Sequence, residues 1–321
     1  MKRTFLIVIF LIISLTSACS FGTNLWKEDP ATTPTPPQAA NKTDNQQNPE
    51  LQNQITQIAS AAKGKVGVAA VVLETGENVS LNPHDHFPMQ SVYKLPISMA
   101  VMKQVDAGKI KLDQKVRVTK DDFIGRNQHS PIRDKNPNGV ELTVNELLRF
   151  AISESDGTAS DVLMKLVGGR IPVQMYLTDL PITDTIVLNT EKELGQDWQA
   201  QYRNSTSPAA AVSLLRALHE RQGLSETSQA LLLKYLTESK PGQNRLKGLL
   251  PAGTVVAHKT GTSGTQNGIT AATNDIGIIT LPNGRHLAIA VFVSDSPADE
   301  ATREGVIAKI AKVVWDKNSG Q

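Results

Sequence analysis

A chain of 321 residues, 40% apolar and 20% charged, carries enough hydrophobic material for one large domain or two intimate ones. Its 33 basic residues nearly balance 31 acidic ones, and no basic patch stands out, which excludes a typical nucleic-acid binder. The single cysteine, Cys19, excludes a disulfide within the chain and leaves no thiol chemistry for the folded part.

The first residues read as an export signal. Lys2-Arg3 is a positive n-region, Phe5 to Leu15 an apolar run, and Ser17-Ala18 a pair of small residues before a cut. Residues 1–18 are therefore predicted to be a signal peptide, too short to span a bilayer with normal flanks. Cys19 follows directly and resembles the acylated cysteine of bacterial lipoproteins, although Thr16 is unusual three positions before it. From 19 to 50 the composition turns to Pro, Thr, Asn and Gln, with Pro34-Thr35-Pro36-Pro37 inside it. Such a segment buries too little apolar surface to order itself. It is read as a tether that holds an exported body, periplasmic or at the cell surface, near a membrane.

The folded part is predicted to span 51–321. Ile55, Ile58, Ala59 and Ala62 have helical spacing. Val66 to Leu73 is a β-branched run, Thr75-Gly76 a turn, and Val79-Ser80-Leu81 a partner strand. A helix is expected from near Ser91 to a stop at Gly108. Thr143-Val144-Asn145-Glu146 is a capping box, another helix follows Ser155, and Ser207-Pro208 caps a third. Between them Asn189 to Thr206 is a long polar stretch without periodicity, a length usually kept for function. After Pro251, Thr254 to Lys259, Thr273 to Leu281 and Leu287 to Val293 read as strands, and a last helix is expected from Ser296-Pro297. Residues 51–87 and 250–321 thus form an α/β part, an antiparallel sheet from both termini flanked by helices, around an all-helical insert at 88–249. The seam between them is the expected site.

Ser91 and Lys94 are three apart, so on a helix both side chains share one face. A serine hydroxyl needs a base to become a nucleophile, and a lysine can serve once its environment lowers its pKa. Three further pieces follow in order: Ser155-Asp156-Gly157, Glu191 in the long loop, and Lys259-Thr260-Gly261. This set resembles the class A serine β-lactamases and, more distantly, the penicillin-binding proteins.

The resemblance covers roughly 51–315 and implies a serine β-lactamase/transpeptidase-like α/β fold, no cofactor and a monomer. Its substrate would be a β-lactam, a penicillin and, through a likeness of Gln90, Asn138-Gly139 and Thr262-Ser263-Gly264 to the extended-spectrum branch, a cephalosporin. It implies that Ser91 forms the acyl-enzyme, with either Lys94 or Glu191 through a water as acylation base. Ser155 would return a proton to the lactam nitrogen, unless it is merely a helix cap. Glu191 would activate the deacylating water; the bland alternative is a solvated loop acid beside Lys192. Lys259 and Thr260 would hold the substrate carboxylate, Gly261 would let substrate approach the strand, and the N–H groups of Ser91 and Thr262 would form an oxyanion hole. Arg245 would assist the carboxylate pocket, and His129 stands where the family carries an aromatic gatekeeper. The alternatives are a D,D-peptidase-type penicillin-binding protein and a non-hydrolytic β-lactam sensor.

Several positions depart from the family pattern. Gly157 replaces an Asn that contacts substrate, Gly195 replaces an Asn that holds the hydrolytic water, and Asn189 with Asn204 replaces an Arg–Asp clamp. The loop is therefore expected to be held differently or more loosely. His84-Asp85-His86 is superficially like a zinc motif, but Pro88 stands where an acid is needed, and no metal is expected there.

Overall fold

The computed structural model describes residues 48–320, so the stretch read as signal peptide, Cys19 and the stretch read as tether through residue 47 lie outside the described residues. Helix α1 (Pro49–Ser60) starts inside the stretch read as tether, because the Asn48 side chain accepts from the N–H groups of Glu50 and Leu51 ahead of a proline at the first helical position. Then follow β1 (Lys65–Val72), β2 (Asn78–Leu81), β3 (Phe87–Pro88), a 3-10 turn (Gln90–Tyr93), α2 (Lys94–Asp106), β4 (Lys115–Val118), α3 (Pro131–Lys135), β5 (Val140–Thr143) and α4 (Val144–Ser153). The middle continues with α5 (Gly157–Leu166), α6 (Arg170–Asp179), β6 (Thr185–Ile186), α7 (Glu191–Leu194), β7 (Ser205–Thr206), α8 (Pro208–His219) and α9 (Glu226–Thr237). The chain closes with β8 (Val256–Thr262), β9 (Thr265–Gln266), β10 (Ile269–Thr280), β11 (His286–Ser296) and α10 (Glu300–Asn318). Among the described residues no helix is long and apolar enough to cross a membrane.

The main sheet is antiparallel in the order β2-β1-β11-β10-β8, with β9 paired to β10, so both ends of the chain share it. It is covered on both faces, which is why β1 and β11 read as continuous apolar runs. Alternation nevertheless sorts the residues. Leu287, Ile289, Val291 and Val293 join the cluster under α1 and α10, whereas Ala288, Ala290 and Phe292 face the cluster shared with α2, α5 and α8. Fully burying each large residue stabilises by about 1.5–3 kcal/mol. A one-residue slip would exchange the two sets, so the register Val68↔Val291 is strongly specified.

The insert is not all-helical. It contains the ladder β4–β5 and a small sheet β3-β7-β6 that pins the end of the long loop to the segment before Ser91. These strands are too short to leave a periodic signal. The last helix starts later than expected: Asp299 caps the N–H of Thr302 at 2.8 Å, while Ser296 ends β11. The capping boxes of Thr143–Glu146 and the Ser207-Pro208 start of α8 are as read from sequence.

Candidate active site

Ser91 lies in the 3-10 turn that opens α2, after Gln90 in left-handed backbone (φ 47°). Its N–H is in a first turn, where amide donors lack intrahelical acceptors. Lys94, 1% exposed, donates from Nζ to Ser91 Oγ at 2.7 Å and to the Ser155 carbonyl at 3.0 Å, and stands 2.9 Å from Glu191 Oε2. Three acceptors around one nitrogen match the three donors of an ammonium.

Glu191 is no solvated loop acid. Its carboxylate also accepts from Tyr93 Oη at 2.8 Å, a partner sequence reading missed although Tyr93 sits beside Lys94. Burial pushes the Glu191 carboxyl up, but Lys94, the Tyr93 hydroxyl and the Lys259 charge together hold it below the usual range. Lys192 points away and donates to the Asp121 carbonyl. The start of α7 is set by Asp161, whose carboxylate accepts the N–H groups of Glu191 at 2.6 Å and Lys192 at 2.9 Å.

The two glycine departures become intelligible here. A Cβ on Gly157 would lie 2.5 Å from Glu191 Cγ and 2.5 Å from Ile124 Cδ1, so the missing side chain is the room the glutamate occupies. A Cβ on Gly195 would lie 2.5 Å from Gln128 Cδ, and Gln128 donates from Nε2 to the Glu191 carbonyl. The loop is not left loose. Fully buried Asn204 accepts the N–H groups of Leu188 and Asn189 at 2.8 and 2.9 Å and donates to the Asn189 carbonyl at 2.8 Å. A neutral clasp thus replaces an ionic clamp.

Ser155 is not the helix cap; Asp156 is, accepting from Ala159 N–H at 2.8 Å. Ser155 itself holds φ 57°, a conformation costly for a non-glycine residue, and receives Lys259 Nζ on its Oγ at 2.9 Å. Lys259 is fully buried, and burial together with the Lys94 charge presses its pKa well below the usual lysine value. Behind it, His258 and Asp275 pair at 2.9 Å out of reach of solvent, which spacing alone did not reveal.

Thr260 and Thr262 line a cleft of about 880 Å³ together with Ser91, Ser155, Glu191 and His129. His129 is fixed there by contact of Nε2 with the Glu154 carbonyl at 2.9 Å. One expectation changes. Gly261 does not face the cleft: a Cβ there would strike Met89 O at 2.3 Å, so its bareness lets β8 abut the segment carrying Ser91. Asn274 ties the same seam, donating to the Pro88 carbonyl at 2.7 Å. Arg245 is buried behind β8 rather than in the cleft. It donates to Thr262 Oγ1 at 2.8 Å and to the Gly261 and Asn274 carbonyls, and Glu304 of α10 holds its Nε at 2.9 Å.

Comparison with known proteins agrees with this geometry. Residues 50–317 match the model of the β-lactamase enzyme family. The chain is 46% identical over 271 residues to the extended-spectrum β-lactamase PER-1 of Pseudomonas aeruginosa, covering 84% of this chain and 87% of the relative. It is 40% identical over 274 residues to the β-lactamase VEB-1 of the same organism, covering 85% and 91%. Among solved structures, a β-lactamase from Chitinophaga pinensis superposes with a TM-score of 0.82 at 46% identity, over 84% of this chain and 99% of the other. The TLA-3 extended-spectrum β-lactamase gives 0.82 at 44%, with the same coverage. The chain belongs to the β-lactamase enzyme family, class A, whose members hydrolyse the β-lactam ring.

Proposed function

We propose that Ser91 is the nucleophile of a two-step hydrolysis. Its oxygen attacks the lactam carbonyl as its proton passes to the Glu191 carboxylate, through Lys94 or through a water. The N–H groups of Ser91 and Thr262 receive the developing oxyanion, a kind of contact worth roughly 3–4 kcal/mol per donor. The carbon–nitrogen bond breaks as Ser155 passes its proton to the nitrogen and recovers one from the Lys94–Glu191 line, which returns Glu191 to its carboxylate; Lys259 lowers the barrier to that transfer. Thr260 and Thr262, which line the cleft, bind the substrate carboxylate, with buried Lys259 acting through its charge and Arg245 through Thr262 and its charge. Glu191 then takes a proton from water, the hydroxide oxygen attacks the ester, and Ser91 leaves with its proton restored.

The observation that carries this reading is the unbroken line Ser91 Oγ–Lys94 Nζ–Glu191 Oε2, with contacts of 2.7 and 2.9 Å. A carboxylate one ammonium away from the nucleophile, and ionised by that ammonium, can exchange protons with the acylation and deacylation steps alike. It also speaks against a sensor and against a D,D-peptidase-type penicillin-binding protein, in which a β-lactam adduct stays in place for want of a carboxylate that activates water at the ester. We extend the substrates from penicillins to cephalosporins on the strength of two relatives named as extended-spectrum enzymes.

Replacing Glu191 by Gln tests the reading. We expect an adduct of the substrate's mass on Ser91 to accumulate, and turnover to fall by roughly 10²–10⁴-fold. Unchanged steady-state turnover would assign deacylation elsewhere, and a stable adduct on the unaltered protein would favour the sensor.

The same proposal covers the leader. Residues 1–18 are removed, Cys19 is acylated, and the tether leaves the catalytic body exported and membrane-anchored, periplasmic or at the cell surface. Cys19→Ser should release the protein from the membrane fraction without changing its hydrolytic rate.

A further inference from the structure

Glu74, His219 and His286 lie outside the cleft and take no part in the chemistry above. We infer that they bind one divalent transition-metal ion of the zinc or copper kind. One ligand atom from each residue, two imidazole nitrogens and a carboxylate oxygen, lie within 4.8 Å of one another. The three come from separate segments: the turn after β1, the last residue of α8 and the first of β11. Chance neighbours on one surface helix would not converge this way.

The site is held before any ion arrives. Glu74 Oε2 accepts the backbone N–H of His286 at 2.9 Å, and Oε1 lies 2.7 Å from His286 Nδ1. The strands beneath are locked by Leu73 N–H donating to the His286 carbonyl at 2.8 Å. On the third side, the His219 ring stands 4.4 Å from the His286 ring, and Arg216 of the same helix end donates to the Leu73 carbonyl. An ion would draw the three donors together from that spread to bonds of about 2.1 Å. Two imidazoles with one carboxylate suit zinc or copper, whereas magnesium and calcium favour all-oxygen sets. The Glu74 and His286 side chains are 38% and 32% exposed, which leaves remaining positions to water.

The place in the fold makes this a clip, not a catalyst. Along β10, Asn274 touches the segment before Ser91, while Thr280 pairs with His286. That interval is about 20 Å at the strand rise of ~3.4 Å per residue. An ion here would join three segments and stabilise the folded state by mass action. The sequence motif His84-Asp85-His86 contributes nothing to it; His86 instead contacts Ser205.

The test is a zinc titration of the purified, chelator-stripped protein by calorimetry, with thermal unfolding alongside. We expect one saturable equivalent and a rise in Tm with excess zinc. His219→Ala and His286→Ala should each weaken binding at least ~10-fold and remove the Tm rise, whereas a His84→Ala/His86→Ala double variant should keep both. Glu74→Gln, which preserves the hydrogen bond to the His286 N–H, should also weaken binding while hydrolysis of a chromogenic substrate shows every variant folded. With cupric ion in place of zinc, paramagnetic resonance should show coupling to two imidazole nitrogens. Absence of saturable binding would overturn the inference, as would binding that survives in both histidine variants or disappears only with His84 and His86.

Discussion

Gln128 donates a hydrogen bond to the backbone carbonyl of Glu191, and its amide fills the space that a side chain at Gly195 would need. Two residues distant in sequence have exchanged roles: the loop gave up a side chain and the segment opposite supplied one. Gln128 is also tied down, accepting the Gly125 N–H on Oε1 at 3.0 Å.

The exchange makes a double-variant cycle informative. Gln128→Ala should lose two hydrogen bonds of about 1 kcal/mol each and lower Tm by about 4–8 °C, with kcat reduced more than KM. Gly195→Ala alone should destabilise by collision with Gln128, since Gly195 has ordinary helical backbone (φ −80°) and no conformational objection to alanine. In the double variant the collision disappears, so the two losses should be less than additive. Strict additivity in thermal unfolding would show that the amide does not occupy that space.

Gly157→Ala should act on Glu191 directly. Its backbone is not left-handed, so the effect is steric: the new Cβ would stand 2.5 Å from Glu191 Cγ. A displacement of about 1 Å at a reacting group lowers rate by roughly 10²-fold. Stopped-flow traces with a chromogenic cephalosporin should then show an acylation burst followed by slow turnover, and a wild-type trace would refute the packing argument.

The Asn204 clasp should be large in stability and small in salt dependence. Asn204→Ala removes three buried hydrogen bonds, for a loss of about 3 kcal/mol. Because no ion pair is involved, the deficit measured by urea unfolding should be the same at low and high ionic strength. A deficit that shrinks with salt would mean that charge holds the loop after all.

Asp161 should give stability a slope with pH. Burial lifts its carboxyl from 3.8 to about 7, against the N–H groups of Lys192 and Glu191, and the Glu191 charge adds to the rise. Between those values the folded state binds more protons than the unfolded chain, so this group's contribution is whole below about pH 4 and is lost as pH rises towards 7. Asp161→Asn should flatten that fall, at the expense of one N–H acceptor at the loop entry. Urea midpoints from pH 4 to 8 measure it, and an unchanged slope would place the titration elsewhere.

The pH profile of kcat/KM follows from the other two groups. Glu191 sits below the usual carboxylate range, so the acid limb should fall below pH 4.5; Lys259 sits well below 10.5, so activity should decline on the alkaline side before ordinary lysines titrate. An acid limb near 6 would assign the base to a different group.

Much of the site was legible in the chain because its chemistry is local. Ser91 and Lys94 are three apart, so their spacing already places both on one face, whereas Lys259 and Thr260 were placed by the family resemblance. Glu191 was legible as a candidate only, since one acid in a long loop carries no geometry. Tyr93, Asp161 and Gln128, which position it, were not legible, because each acts through a contact that no periodicity encodes; Asn204 was legible only as the replacement of a clamp, not for what it clasps. The short strands of the insert escaped for a similar reason: two-residue ladders exist only through their partners.

By itself the sequence determined the alternation of apolar residues, the helix caps and the order of reactive groups, all of which depend on neighbours a few bonds away. Only the tertiary structure decided what the two glycines are for. Each owes its meaning to the side chain that fills the vacated volume, Glu191 at Gly157 and Gln128 at Gly195, and close packing between distant segments is a property of the folded interior alone.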